Sequence, residues 1–169
     1  HLAGESVAGS RWSTERKNEI LASRVDGSRA LVDALQTMSS GERPRALIAA
    51  SAIGFYGDRG DEVLTERASA GEGFLANVCR AWEGEVARAD ALGVRTVSVR
   101  VGVVLGRDGG ALQAMLPPFR LGGGGRVGSG RQWMSWVHLD DVVGIVRFLA
   151  KRDDLHGPVN VTAPRPVTN

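Results

Sequence analysis

Two hydroxyls stand first among the residues able to do chemistry. The stretch AASAIGFYGDRGDE, residues 49–62, carries Ser51 at the end of an apolar run and Tyr56, the single tyrosine of the chain, where that run meets glycines and acids. A hydroxyl at the carboxyl end of a buried strand either hydrogen-bonds a substrate carbonyl or hydroxyl, or ties down the turn that follows. A phenol of lowered pKa exchanges a proton with a substrate, whereas an ordinary one packs as an amphipathic ring on a loop. His138 stands just before Asp140 and Asp141, which suits a pH-switchable base as well as a histidine at a helix entry. Arg126 and Arg131 flank a glycine-rich loop, and Trp133 and Trp136 follow it. That segment either holds an anionic or planar ligand or is a solvated loop anchored by its indoles.

Other signals exclude chemistry. The spacing of Gly123, Gly125 and Gly128 matches a dinucleotide fingerprint, but Pro117, Pro118 and Phe119 precede it where a strand is needed, and no helix signal follows. Without a strand before and a helix after, backbone amides and helix dipole cannot meet a pyrophosphate, so the glycines read as a flexible loop. Three histidines with neither HExxH nor CxxC spacing give no reason to expect a metal. Cys79, mid-helix among apolar residues, reads as a buried structural thiol, and as the lone cysteine it permits no internal disulfide. That fits a reducing cytoplasm.

The elements positioning these residues follow from periodicity. Residues 13–38 predict a helix capped by Ser13, with Glu15 in its first turn and Gly27 as a weak spot. Residues 45–53 predict a short buried strand, 74–92 a helix ended by Gly93, and 94–106 a second strand. Strand, helix and strand with short loops make the β-α-β unit of a parallel sheet. A short helix near 110–116 should stop at Pro117 and Pro118. One brief strand over WMSWVH, a helix capped by Asp140 or Asp141, and a last short strand over GPVNVTA complete an α/β fold.

Composition narrows the partners. With 169 residues the chain suits a single structural unit. Net charge is +2 and aromatic residues are 5% of the total, without the basic stripe and stacking platform of a nucleic-acid binder. No run approaches the ~20 apolar residues of a membrane span. The opening HLAG reads as the end of a strand, and the expectation is a piece of a longer protein.

In order, HLAGES, AASAIGFYGDRGDEVLTE, GEGFLANVCRAWE, VRVGVVLGRDGGAL, RQWMSWVHLDD and GPVNVTAPRPVTN span nearly the whole chain. Together they resemble the NAD(P)-dependent epimerase/dehydratase-like proteins of the atypical or extended short-chain dehydrogenase/reductase superfamily. The resemblance implies an NAD(P)-binding Rossmann-like parallel sheet, here partial and lacking the glycine-rich N-terminal βαβ unit. Residues 1–106 would be the later part of that domain and 107–169 a small substrate-side region. It implies NADP or NAD as cofactor, with Leu2, Ala3, Gly4, Arg100, Gly102 and Val103 along it. Ser51 would be the strand-end catalytic hydroxyl, with Tyr56 or Asp58 supplying protons, and Arg131, Trp133 and His138 would border a small-molecule substrate.

Two departures matter. The superfamily pairs a tyrosine with a lysine one helical turn later, so that the ammonium lowers the phenol's pKa. The matching positions here hold Phe74 and Val78, which move no proton. An arginine that binds diphosphate in nucleotide-sugar epimerases is matched by Met134, with Arg131 nearby. The reading is therefore an NAD(P)-dependent oxidoreductase or epimerase-like protein, or else a Rossmann-scaffold binding protein without turnover. Weak NAD(P)H binding by these residues alone and self-association through an exposed sheet edge are the accompanying expectations.

Overall fold

The computed structural model describes residues 1–8 and 11–169. Helix α1 (Thr14–Thr37) begins at the expected cap, where Ser13 Oγ accepts from Arg16 N at 3.1 Å. Strand β1 (Ala46–Ala52) alternates, with Leu47, Ala49 and Ser51 buried. A 3₁₀ turn over Ile53–Tyr56 ends it. Helix α2 (Phe74–Ala87) then tightens into a 3₁₀ turn over Arg88–Leu92, a common way for a helix to finish. Gly93, at φ 77°, supplies the left-handed residue that turns the chain into β2 (Arg95–Val101).

β1, β2 and β6 (Gly157–Val161) form one parallel sheet in the order β1-β2-β6. Leu47 and Ala49 pack with Val32 and Leu35 of α1 and Trp82 and Val86 of α2 on one face. Val97 and Val99 of β2 and Val161 pack on the other, against Leu149 of α4 (Leu139–Ala150). Residues 107–169 thus return one strand to the sheet built by the earlier part of the chain. His1 lies along the outer edge of β1: its amino group donates to Ile48 O at 2.8 Å, and Ala50 N donates to His1 O at 2.9 Å. These two bonds pair His1 with β1 in the parallel sense; residues 2–4 form no strand.

Four expectations need correction. The strand predicted over 94–106 breaks at Gly102 into β2 and β3 (Val103–Gly106). Between consecutive residues the backbone changes partner, Gly102 N donating to Val161 O and Val103 N to Ser135 O. The predicted strand over WMSWVH likewise splits at Ser135. Its first half, β4 (Trp133–Met134), pairs antiparallel with β7 (Val167–Thr168), and its second, β5 (Trp136–His138), pairs parallel with β3. Helix α3 (Gly110–Arg120) runs through both prolines. The carbonyls those prolines cannot reach belong to Gln113 and Ala114, which are exposed to water, so the lost bonds go to solvent. Finally, α4 is capped by His138, whose Nδ1 accepts from Asp140 N at 3.2 Å; Asp140 and Asp141 sit in the first turn. The glycine loop after α3 leads into β4, not from a strand into a helix. No helix among the described residues is long and apolar enough to cross a membrane.

Candidate functional site

The parallel register sets Ser51 opposite Arg100 and Arg100 opposite Asn160. In-register neighbours project to the same face, so these three side chains form a polar row across the carboxyl tips of β1, β2 and β6, on the α1/α2 side. Open parallel sheets bind ligands beyond this edge.

Glu83, delivered by α2, organises the row. Ser51 Oγ donates to Glu83 Oε1 at 2.6 Å, and Arg100 donates from Nε to Oε1 at 2.9 Å and from Nη2 to Oε2 at 2.8 Å. The Arg100–Glu83 fork is bidentate, the strongest arrangement open to this pair. Arg100 Nη1 also donates to the Tyr56 hydroxyl at 2.9 Å, and that hydroxyl donates to Asn160 Oδ1 at 2.7 Å. Arg100 Cζ lies 3.4 Å from the Phe55 ring centroid, close enough for a cation–π contact. Burial alone would lower the Arg100 pKa, but hydrogen bonds with Glu83 and Tyr56 outweigh it and leave the pKa above its ordinary value. Ser51, Tyr56 and Arg100 are 4%, 3% and 3% exposed, so their polar atoms face one another and not open solvent.

Residues 57–73 roof this network. Glu66 Oε1 accepts from Asn160 N at 2.8 Å, Leu64 O accepts from Asn160 Nδ2, and Gly71 N donates to Phe55 O. Trp133 Nε1 donates to Asp61 Oδ1 at 2.7 Å, tying β4 to the same loop. Asp58 spends one carboxylate oxygen on Gly60 N, forming a local turn.

The remaining sequence candidates are spread around this centre. Leu2, Ala3 and Gly4 are exposed and lie between His1, which pairs with β1, and Glu5, which bonds Ser23 of α1. Gly102 and Val103 lie at the strand change; the bare Cα of Gly102 admits Ser135, whose oxygen would be 2.3 Å from an added Cβ. Packing against protein thus accounts for this glycine. Arg131 is exposed, and Trp133 is half-exposed through its bond to Asp61. His138 is exposed, and its Nδ1 is the acceptor that caps α4. Phe74 meets Trp12 edge-on at 5.5 Å and Val78 is buried; neither carries a proton. Cys79 is buried, and its burial pushes the thiol pKa up.

Glu83 and Asn160 escaped sequence reasoning. The signal for Glu83 is a carboxylate on the buried stripe of α2 formed by Ala76, Cys79, Trp82 and Val86. A charge placed there needs a partner, and Arg100, a charge between Val99 and Val101 in a buried strand, is the matching demand.

The profile of the NAD dependent epimerase/dehydratase family matches residues 1–162. The chain belongs to that family. It is 42% identical over 167 residues to "Epimerase family protein SDR39U1 homolog, chloroplastic" of Arabidopsis thaliana, covering 99% of this chain and 48% of that protein. It is 41% identical over 168 residues to "Epimerase family protein YfhF" of Bacillus subtilis, covering 99% of this chain and 54% of the other. The crystal structure of human epimerase family protein SDR39U1 (isoform 2) with NADPH superposes with a TM-score of 0.86 at 32% identity, over 98% of this chain and 56% of that one. The chain spans about half the length of these relatives, and its three-stranded sheet is the Rossmann-like sheet of the epimerase family.

Proposed function

We propose that this chain builds the nicotinamide-side wall and part of the substrate side of an NAD(P)-dependent epimerase-like protein acting on a small molecule. The observation that carries the reading is the row Ser51–Arg100–Asn160 at the strand tips, beside the exposed backbone of Leu2–Gly4. The residues present fit a dinucleotide there. The 2–4 segment is open to solvent, small at Ala3 and Gly4, and fixed to the edge of β1 through His1. A bound nicotinamide would supply hydride transfer. The chain's own part is to hold the floor still: Glu83 fixes Arg100 and Ser51, and Tyr56 fixes the end of β6 through Asn160. Ser51 and Tyr56 act as positioning residues in this arrangement, and Arg131, Trp133 and His138 border the substrate.

A second reading is a cofactor-binding protein without turnover. It draws on the apolar Phe74 and Val78 and on hydroxyls already committed to Glu83 and Asn160. Fluorescence titration with NADPH, on the protein carrying its native flanking sequence, tests the shared part of both. Micromolar binding is expected, with weaker binding by residues 1–169 alone, and absence of binding by the longer protein overturns both. Hydride oxidation against a panel of carbonyl compounds then separates turnover from binding alone.

The outer edge of β1 offers a further expectation. His1 alone pairs with it among the described residues, leaving the Ala46–Leu47 end without a strand neighbour. An unpaired edge recruits another strand. Light scattering on residues 1–169 should show a mass that rises with concentration; a constant monomer mass would contradict this.

A further inference from the structure

Arg24 stands apart from Arg16 and Arg29, the other arginines of α1, and from Arg88 at the end of α2. Arg16, Arg29 and Arg88 are each in salt bridges with carboxylates, and the hydrogen bonds raise their pKa values. Arg24 is half-buried, and among the described residues no carboxylate lies within salt-bridge distance of it. Its Nη1 donates to Ile20 O at 3.1 Å, within its own helix. Burial pushes its pKa down, offset only in part by attraction to Cys79 and Glu5. The cation is nonetheless held in place: Cζ lies 5.2 Å from the Trp82 ring centroid.

Its position is specific. The Leu2–Glu5 segment is pinned to α1, Glu5 N donating to Ser23 Oγ at 3.0 Å. The Arg24 side chain lies across Gly4, where an added Cβ would come 3.2 Å from Cζ and 3.3 Å from Cγ. The guanidinium therefore borders the exposed backbone assigned above to the cofactor, and among the described residues its one acceptor is Ile20 O. Two turns earlier on α1, Lys17 Nζ lies 5.6 Å from the Phe74 ring centroid, so α1 presents two cations to aromatic rings of α2. Phe74 and Val78 leave α2 without a cation at the positions where the superfamily resemblance puts its tyrosine and lysine. A partly desolvated guanidinium with no salt-bridge partner among the described residues, fixed beside an open segment, is suited to a phosphate oxygen, which its planar fork matches.

We propose that Arg24 is a cofactor-anchoring residue that donates to a phosphate oxygen of the dinucleotide lying along Leu2–Gly4. The inference rests on the cofactor reading above. It is tested by titrating NADPH and NADH, on the protein with its native flanking sequence, against Arg24→Met and Arg24→Lys. Methionine keeps an apolar stem on Trp82 and removes every donor. Its dissociation constant should rise about tenfold to a hundredfold, with an unchanged urea midpoint, while lysine recovers part of the loss. Equal loss for the two nucleotides assigns the contact to the shared pyrophosphate, and loss confined to NADPH assigns it to the additional phosphate. Parent-like binding of both by Arg24→Met overturns the inference and leaves the cofactor reading standing. A parent protein that binds neither nucleotide overturns the cofactor reading, and this inference with it.

Discussion

Glu83→Ala should lower unfolding stability by about 3–5 kcal/mol, because it strips the counter-ion from a buried guanidinium. The substitution removes the acceptor of three hydrogen bonds at once, from Ser51 Oγ, Arg100 Nε and Arg100 Nη2. With Arg100 only 3% exposed, water cannot replace the carboxylate without opening the packing beneath the 57–73 loop. The cation–π contact with Phe55 and the bond to Tyr56 remain, but neither neutralises the charge. The pair itself need not be strongly stabilising, since desolvating two ions offsets most of their attraction. The double variant Glu83→Leu with Arg100→Met should therefore recover much of the single variant's loss. Urea denaturation of parent, single and double variants measures both effects. A loss below about 1 kcal/mol for Glu83→Ala would mean that the guanidinium finds water or another partner, and would remove Glu83 as organiser of the site.

What the sequence made legible divides along physical lines. β1 was readable as a short apolar run bounded by turns, β2 by its β-branched alternation, and α1 because Ser13 caps it in the expected way. The neighbourhood of Ser51 and Arg100 followed from the β-α-β unit, which places consecutive strands side by side. Their partners were hidden because those contacts are long-range: Tyr56 and Asn160 are 104 residues apart, and only the register of β6 joins them. The breaks at Gly102 and Ser135 share that origin. Each segment carries strand-forming residues, yet the two touch at one point and both change partners there. Local propensity also pointed to an aspartate cap for α4, where the geometry uses the imidazole of His138. The motifs named the family, whereas the site's internal wiring depends on which buried charges meet in space.

Gly102→Ala discriminates between two reasons for a glycine at the sheet edge. If this residue were small to admit a cofactor, alanine would weaken nucleotide binding and spare the fold. The structure gives the opposite expectation, because the added Cβ would lie 2.3 Å from Ser135 O and 3.0 Å from Thr162 Cγ2. The nearest obstacle is a backbone carbonyl that already accepts from Val103 N at 2.8 Å, so no rotamer change relieves the clash. Relief requires β3 to part from β5, or Gly102 to leave its bond to Val161 O. Overpacking against a fixed neighbour should cost about 3 kcal/mol, at the upper end of its usual range. Gly84→Ala in α2 is the internal control: an added Cβ there meets nothing within 4 Å. Helix propensity alone should make that variant more stable by roughly 0.5–1 kcal/mol. Urea midpoints that fall for position 102 and rise for position 84 would assign Gly102 to the joint between the two sheets, whereas parent-like stability at position 102 with weakened NADPH binding would return it to the cofactor.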